Sequence, residues 1–128
     1  MTPTSDNVPL WPEPLPLKSY GDHGFRFADV RHEGGLCILP DGIHRWRPRT
    51  PEEVVAEDFA SVSTHRAEVD FLLYGCGERH LPPPDWLVRL AALSGLGLEV
   101  MTTNAAVRTY NLCRDELRLP ATFLLPVP

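Results

Sequence analysis

The side chains best suited to chemistry fall at two strand ends. Cys76, set between Gly75 and Gly77, is a thiol that flanking glycines would open to a closely approaching substrate, and His80 lies four residues on as a base. The plainer reading of such a glycine-flanked end is close packing of backbone, and no third group is evident to orient His80. The other end is Thr102-Thr103-Asn104, which opens a helix whose unpaired N–H groups favour an anion or a carbonyl oxygen. Along that helix Asn104, Arg108, Asn111 and Asp115 recur at helical spacing on one side, and Ala106, Tyr110, Cys113 and Leu117 on the other. The second row is the expected buried stripe. The first is a solvent face unless something covers it. If covered, Arg108 and Asn111 would join Gly75, Cys76, Gly77, Thr102, Thr103 and Asn104 around one pocket.

Other chemistry-bearing runs read more plainly. His44-Arg45-Trp46-Arg47-Pro48-Arg49 is locally basic, and Trp46 could serve as a stacking platform for single-stranded nucleic acid. The acids Glu52, Glu53, Glu57 and Asp58 follow at once, so pairing with these arginines is favoured and nucleic acid is not the expected partner. The acids themselves suit the early turns of a helix, where the dipole favours negative charge, better than a metal site. His23, His32, His44, His65 and His80 show no short metal-ligand spacing. There is no Cys-x-x-Cys pair, phosphate-binding loop, dinucleotide fingerprint or nucleophile elbow. No metal or cofactor is expected, and a non-enzymatic protein is favoured.

These residues need elements to position them. The prolines between Met1 and Pro16 predict an extended segment, with Leu10, Trp11 and Leu15 able to dock on the domain that follows. From Leu17 to Trp46, short apolar runs broken by Gly21, Gly34-Gly35 and Pro40-Asp41-Gly42 predict antiparallel hairpins. Phe25 and Phe27 share one strand face and suit either the core or a homo-oligomer contact. Thr50-Pro51-Glu52-Glu53 signals a helix start, with Val55, Phe59 and Val62 inward and a break near Ala56. Beyond it the pattern is strand (Val69–Tyr74), helix (Trp86–Leu93), strand (Leu96–Met101), helix (Asn104–Leu117) and strand (Ala121–Leu125). Alternation with short connections predicts an α/β layered fold: a mixed β-sheet with helices packed on it and an antiparallel hairpin portion from the N-terminal half.

The chain of 128 residues is the length of one domain, here residues 17–128 after the Pro-rich segment 1–16. Twelve basic against 17 acidic side chains leave a formal charge of −5, so no global field attracts nucleic acid or acidic lipid. No apolar run approaches the ~20 residues of a membrane span. Three cysteines, Cys37, Cys76 and Cys113, suit a reducing compartment better than a disulfide scaffold.

Taken together, Leu39-Pro40-Asp41-Gly42, the strand ending Gly75-Cys76-Gly77, and Leu98-Glu99-Val100-Met101 followed by Ala106-x-Arg108-Thr109-Tyr110-Asn111 resemble the Mth-type domain family of unknown function. The closing Leu124-Leu125-Pro126 fits, and the resemblance runs from about Leu17 to Val127. It implies a single-domain fold layered around a mixed sheet and no established catalytic activity. The family takes in complex I (NADH dehydrogenase) assembly factor 3 and the adipogenesis-associated Mth domain protein. Its mitochondrial members bind partners during assembly of a respiratory complex, which implies a protein partner here. Family members usually carry Gly-Thr-Gly where this chain has Gly75-Cys76-Gly77, and Asp-Thr-Gly where it has Thr102-Thr103-Asn104. The lost acid and glycine weaken any ligand site carried over. With no transit peptide visible, a cytoplasmic, bacterial-type member is the expectation.

Overall fold

Apolar runs bounded by glycine and proline become eight strands in the computed structural model, which describes residues 8–128. The part of the Pro-rich segment before Val8 lies outside the described residues. Strands β1 (Ser19–Gly21), β2 (Gly24–Phe27) and β3 (Val30–Glu33) form a small antiparallel sheet. The main sheet has the order β5-β4-β8-β6-β7, from β4 (Gly35–Leu39), β5 (Gly42–Trp46), β6 (Phe71–Gly75), β7 (Gly97–Met101) and β8 (Ala121–Leu124). Its β4 pairs are antiparallel and its β6 pairs parallel, the mixed sheet that was expected. β3 was not expected, because Arg31, His32 and Glu33 lack an apolar strand pattern.

The strand order explains the layers. The connection from β6 to β7 steps outward through α2 (Asp85–Ser94). The connection from β7 to β8 steps back across β6 through α3 (Thr103–Asp115). Crossovers of one hand that run in opposite directions must lie on opposite faces. Leu87 of α2 accordingly packs with Trp46, Phe59, Tyr74 and Phe123 on one face, where the Phe59 and Phe123 rings lie 4.6 Å apart. Ala106, Val107 and Tyr110 of α3 pack with Phe25, Phe27, Leu36 and Leu73 on the other. With both faces covered, all five residues of β4 are buried. Phe25 and Phe27 are therefore core residues, at 1% and 0% exposed, and offer no surface for a second copy.

Two helical expectations are corrected. The segment after Thr50 does break near Ala56, but its pieces are 3-10 turns at Pro51–Glu53 and Ala56–Phe59 and then the single turn α1 (Ser61–Thr64), and Val55, expected inward, is exposed. Val54 and Val55 stay extended between them, and the Asp58 carboxylate accepts the Val55 N–H at 2.9 Å, starting a new turn there. The Thr50 hydroxyl makes no cap. Glu53 instead accepts the Arg49 N–H.

The second correction concerns Leu117, expected in the buried stripe of α3 and in fact 95% exposed with φ of +60°. The helix has already ended, and the Arg118 N–H reaches back to the Cys113 carbonyl. This is the left-handed position that glycine usually fills after a helix. Leu117→Gly should therefore raise stability by about 1 kcal/mol, read as a higher urea midpoint at unchanged slope. A midpoint that stays put or falls would refute the strain.

Candidate functional site

Parallel pairing of β6 with β7 brings the two predicted loop tips to the same rim of the sheet. Their chains leave toward opposite faces, a crevice that takes ligands in many α/β sheets. Thr103 closes it. This fully buried hydroxyl accepts the Gly77 N–H at 3.0 Å and donates to the Leu125 carbonyl at 2.7 Å, while the Thr103 N–H bonds the Gly77 carbonyl at 2.9 Å. One side chain thus ties the ends of β6, β7 and β8 together.

The opening of α3 is engaged by the chain itself. The Ala105 N–H bonds the Asn104 side-chain oxygen, the Ala106 N–H bonds the Thr102 carbonyl, and the Thr102 hydroxyl bonds Asn104 Oδ1 at 2.6 Å. Gly75 carries the close packing, since a Cβ there would meet a Leu124 methyl at 2.9 Å and the Thr103 Cα at 3.1 Å. Gly77 is needed for its φ of +105°, with open space around it.

Arg108 and Asn111 stand apart from these tips. Arg108 is exposed on the α3 face, and neither residue lines a cavity with Cys76. Asn111 is covered by the chain leading into β1: its amide accepts the Leu17 N–H and donates to the Leu17 carbonyl, both at 2.9 Å. Tyr110 adds a bond from its hydroxyl to the Leu15 carbonyl at 2.7 Å.

Cys76 is 2% exposed, and its Sγ lies 3.3 Å from the Arg79 carbonyl as a donor. No hydrogen bond joins it to His80 among the described residues. The thiol borders a cavity of about 230 Å³ between the Pro51 turn and the start of α2, whose walls include Val54, Tyr74, Leu81 and Trp86. Pro51, Glu52, Cys76 and Leu81 also line an open basin of about 690 Å³, together with His23, His80, Arg49 and Arg79. In the sequence, Pro82-Pro83-Pro84 reads only as a stop to the chain before the helix that begins near Trp86. Rigid prolines beside an aromatic were the available sign of a wall.

The basic run is structural where it bears on function. Trp46 is 6% exposed and its indole N–H bonds the Asp58 carbonyl, so its ring lies in the core and presents no stacking surface. Arg47 pairs with Asp58 at 2.8 Å.

A cluster that spacing did not reveal borders a cleft of about 740 Å³: His44 lies 2.7 Å and His65 3.7 Å from the Asp41 carboxylate, and His65 also meets Glu68. No group of three His, Cys, Asp or Glu among the described residues is placed to hold a metal ion. All three cysteines are free, and burial pushes the Cys37 thiol up to about 12. No helix among the described residues is long and apolar enough to cross a membrane.

The model of a family described as protein of unknown function (DUF498/DUF598) matches residues 17–125. An uncharacterized protein of Rhodobacter capsulatus is 36% identical over 116 residues, covering 89% of this chain and 86% of its own. NADH dehydrogenase (ubiquinone) 1 alpha subcomplex assembly factor 3 of Bos taurus is 24% identical over 112 residues, or 88% of this chain. The chain spans 61% of the length of that assembly factor. Among solved structures, an outer membrane protein from Bartonella henselae has a TM-score of 0.87 at 34% identity, covering 92% of this chain and 99% of that one. A Bordetella pertussis protein described as a Mth938-like domain has a TM-score of 0.71 at 26% identity, covering 88% and 85%.

Proposed function

Because the chain belongs to the family of proteins of unknown function DUF498/DUF598, we propose that it is a cytoplasmic protein-interaction domain of the assembly-factor kind, acting without catalysis of its own. One observation carries the reading: similarity to a respiratory-complex assembly factor runs along 88% of the chain and is not confined to a local motif. The local chemistry supports it. Thr103 is committed to holding strand ends together, the Ala105 and Ala106 amides of α3 bond back to Asn104 and Thr102, and the Cys76 thiol donates to a backbone carbonyl. Three unpaired cysteines suit a reducing compartment.

The test is affinity purification of the full chain from its own cells at low and high ionic strength, with the retained proteins quantified. A partner near one-to-one that survives high salt is the expected result. Recovery of the chain alone at every salt, with a monomer's elution volume, would overturn the proposal. A second reading, binding of a small molecule, rests on the cavity beside Cys76. Arg108 and Asn111 have no part in it.

A further inference from the structure

The cavity beside Cys76 has a distinctive charge pattern. Its walls are mostly apolar or aromatic, and Glu52 is the one charged side chain lining it. Glu52 also lines the outer basin, as do Pro51, Cys76 and Leu81, and it is the one charged residue the two spaces share among the described residues. It forms no ion pair among the described residues: Arg47 is taken by Asp58, and Arg49 approaches Glu33. The turn that carries Glu52 is held on both flanks, by Arg47 on the Glu53 carbonyl and by Glu53 on the Arg49 N–H. Tyr74, 4% exposed, lines the same cavity.

Size decides what could enter. Pockets for drug-sized molecules run to roughly 300–1,000 Å³, and this one, at about 230 Å³, suits a single large side chain. Charge decides what must stand beside it. An acid at the mouth would meet Glu52 and be repelled, whereas a lysine or arginine would pair with it. Beyond the mouth the basin carries Arg49 and Arg79 beside Glu78, so it imposes no single sign of its own and the local charge at the cavity is that of Glu52.

We propose that this cavity seats one apolar side chain of a partner polypeptide, whose neighbouring lysine or arginine meets Glu52. The inference rests on the interaction reading above and specifies its contact. Buried anchors of this kind dominate many interfaces, and the surrounding contacts chiefly exclude water.

The test is an NMR titration of the isotope-labelled full chain with three probes: acetyl-Phe-Lys-amide, acetyl-Phe-Glu-amide and phenethylammonium. Saturable shifts are expected at the Trp86 indole and at the Cys76 and Leu87 amides. The lysine peptide should bind about threefold tighter than the glutamate peptide, with the difference lost in Glu52→Gln and reduced by salt. Glu52 is exposed, so that substitution leaves the fold intact. Equal binding of the two peptides, shifts at the His44–His65 cleft instead, or no saturable shift at millimolar probe would each overturn the proposal. Phenethylammonium binding tighter than the lysine peptide would assign the cavity to free aromatic amines and overturn the partner assignment. If a cellular partner is captured but both peptides miss the cavity, this inference fails and the interaction reading stands.

Discussion

Thr103→Val should cost about 2–6 kcal/mol of stability, a fall in Tm of about 10–20 °C for a domain of this size. Valine matches threonine in shape, so no cavity opens and the loss isolates the hydroxyl. That hydroxyl serves two backbone groups, the Gly77 N–H and the Leu125 carbonyl, and both residues are buried. Each would be left without a partner, at about 1–3 kcal/mol apiece. Serine restores the hydroxyl, so Thr103→Ser should recover most of the loss. Urea unfolding of the three proteins measures this directly. If valine costs under about 1 kcal/mol, water or a shifted loop satisfies both groups and Thr103 is not the tie between the strand ends. If serine behaves like valine, the effect belongs to packing.

What could be read from the chain follows the range of the interactions involved. The β6–α2–β7–α3–β8 alternation was legible because each element announces itself locally, through an apolar run, a proline stop or the glycine after α2. The meeting of Gly77 with Thr103 was legible one step further, because parallel neighbours must end on one rim. The role of Thr103 was not, since its side-chain partners lie 26 and 22 residues away. Nothing local marks a threonine that bonds two other strands. Asn111 is the extreme case: it sits in a polar row that looks like solvent face, and Leu17, 94 residues earlier, covers it. Trp46 misled in the opposite direction, its basic neighbours hiding an indole that the aromatic core claims. The candidate site divides the same way: Cys76 stood out by its flanking glycines, while the cavity walls come from segments that only the folded sheet brings together.

The two edges of the main sheet are treated differently, which bears on where a partner can act. β7 lies at one edge, and β5, at the other, is met by the chain's own Leu10–Trp11 segment. Such an edge is a ready template for another chain unless it is covered. A partner in solution would therefore meet β5 only by displacing that segment. The Cys76 cavity opens on the carboxyl rim, and its occupation requires no such exchange.

Gly42→Ala should release that segment. Gly42 has a φ of +137°, and a Cβ there would collide with the Trp11 carbonyl oxygen, a backbone atom that no rotamer change can move away. Undocking relieves the contact but not the positive φ, which costs an alanine about 1–3 kcal/mol in addition to what docking contributes. Ile43 defines that contribution: its carbonyl accepts the Leu10 N–H and its N–H donates to the Trp11 carbonyl at 2.9 Å. With the partial burial of Leu10 and Trp11, this amounts to about 2–3 kcal/mol. With the backbone strain added, the expected result is a loss of about 3–6 kcal/mol in urea. Amide exchange at Ile43 should accelerate about a hundredfold, while amides of β4 and β6 keep their protection. A uniform loss of protection across the main sheet would mean that the segment folds as one unit with the domain and cannot be released. Unchanged exchange at Ile43 would mean that the segment does not cover the β5 edge.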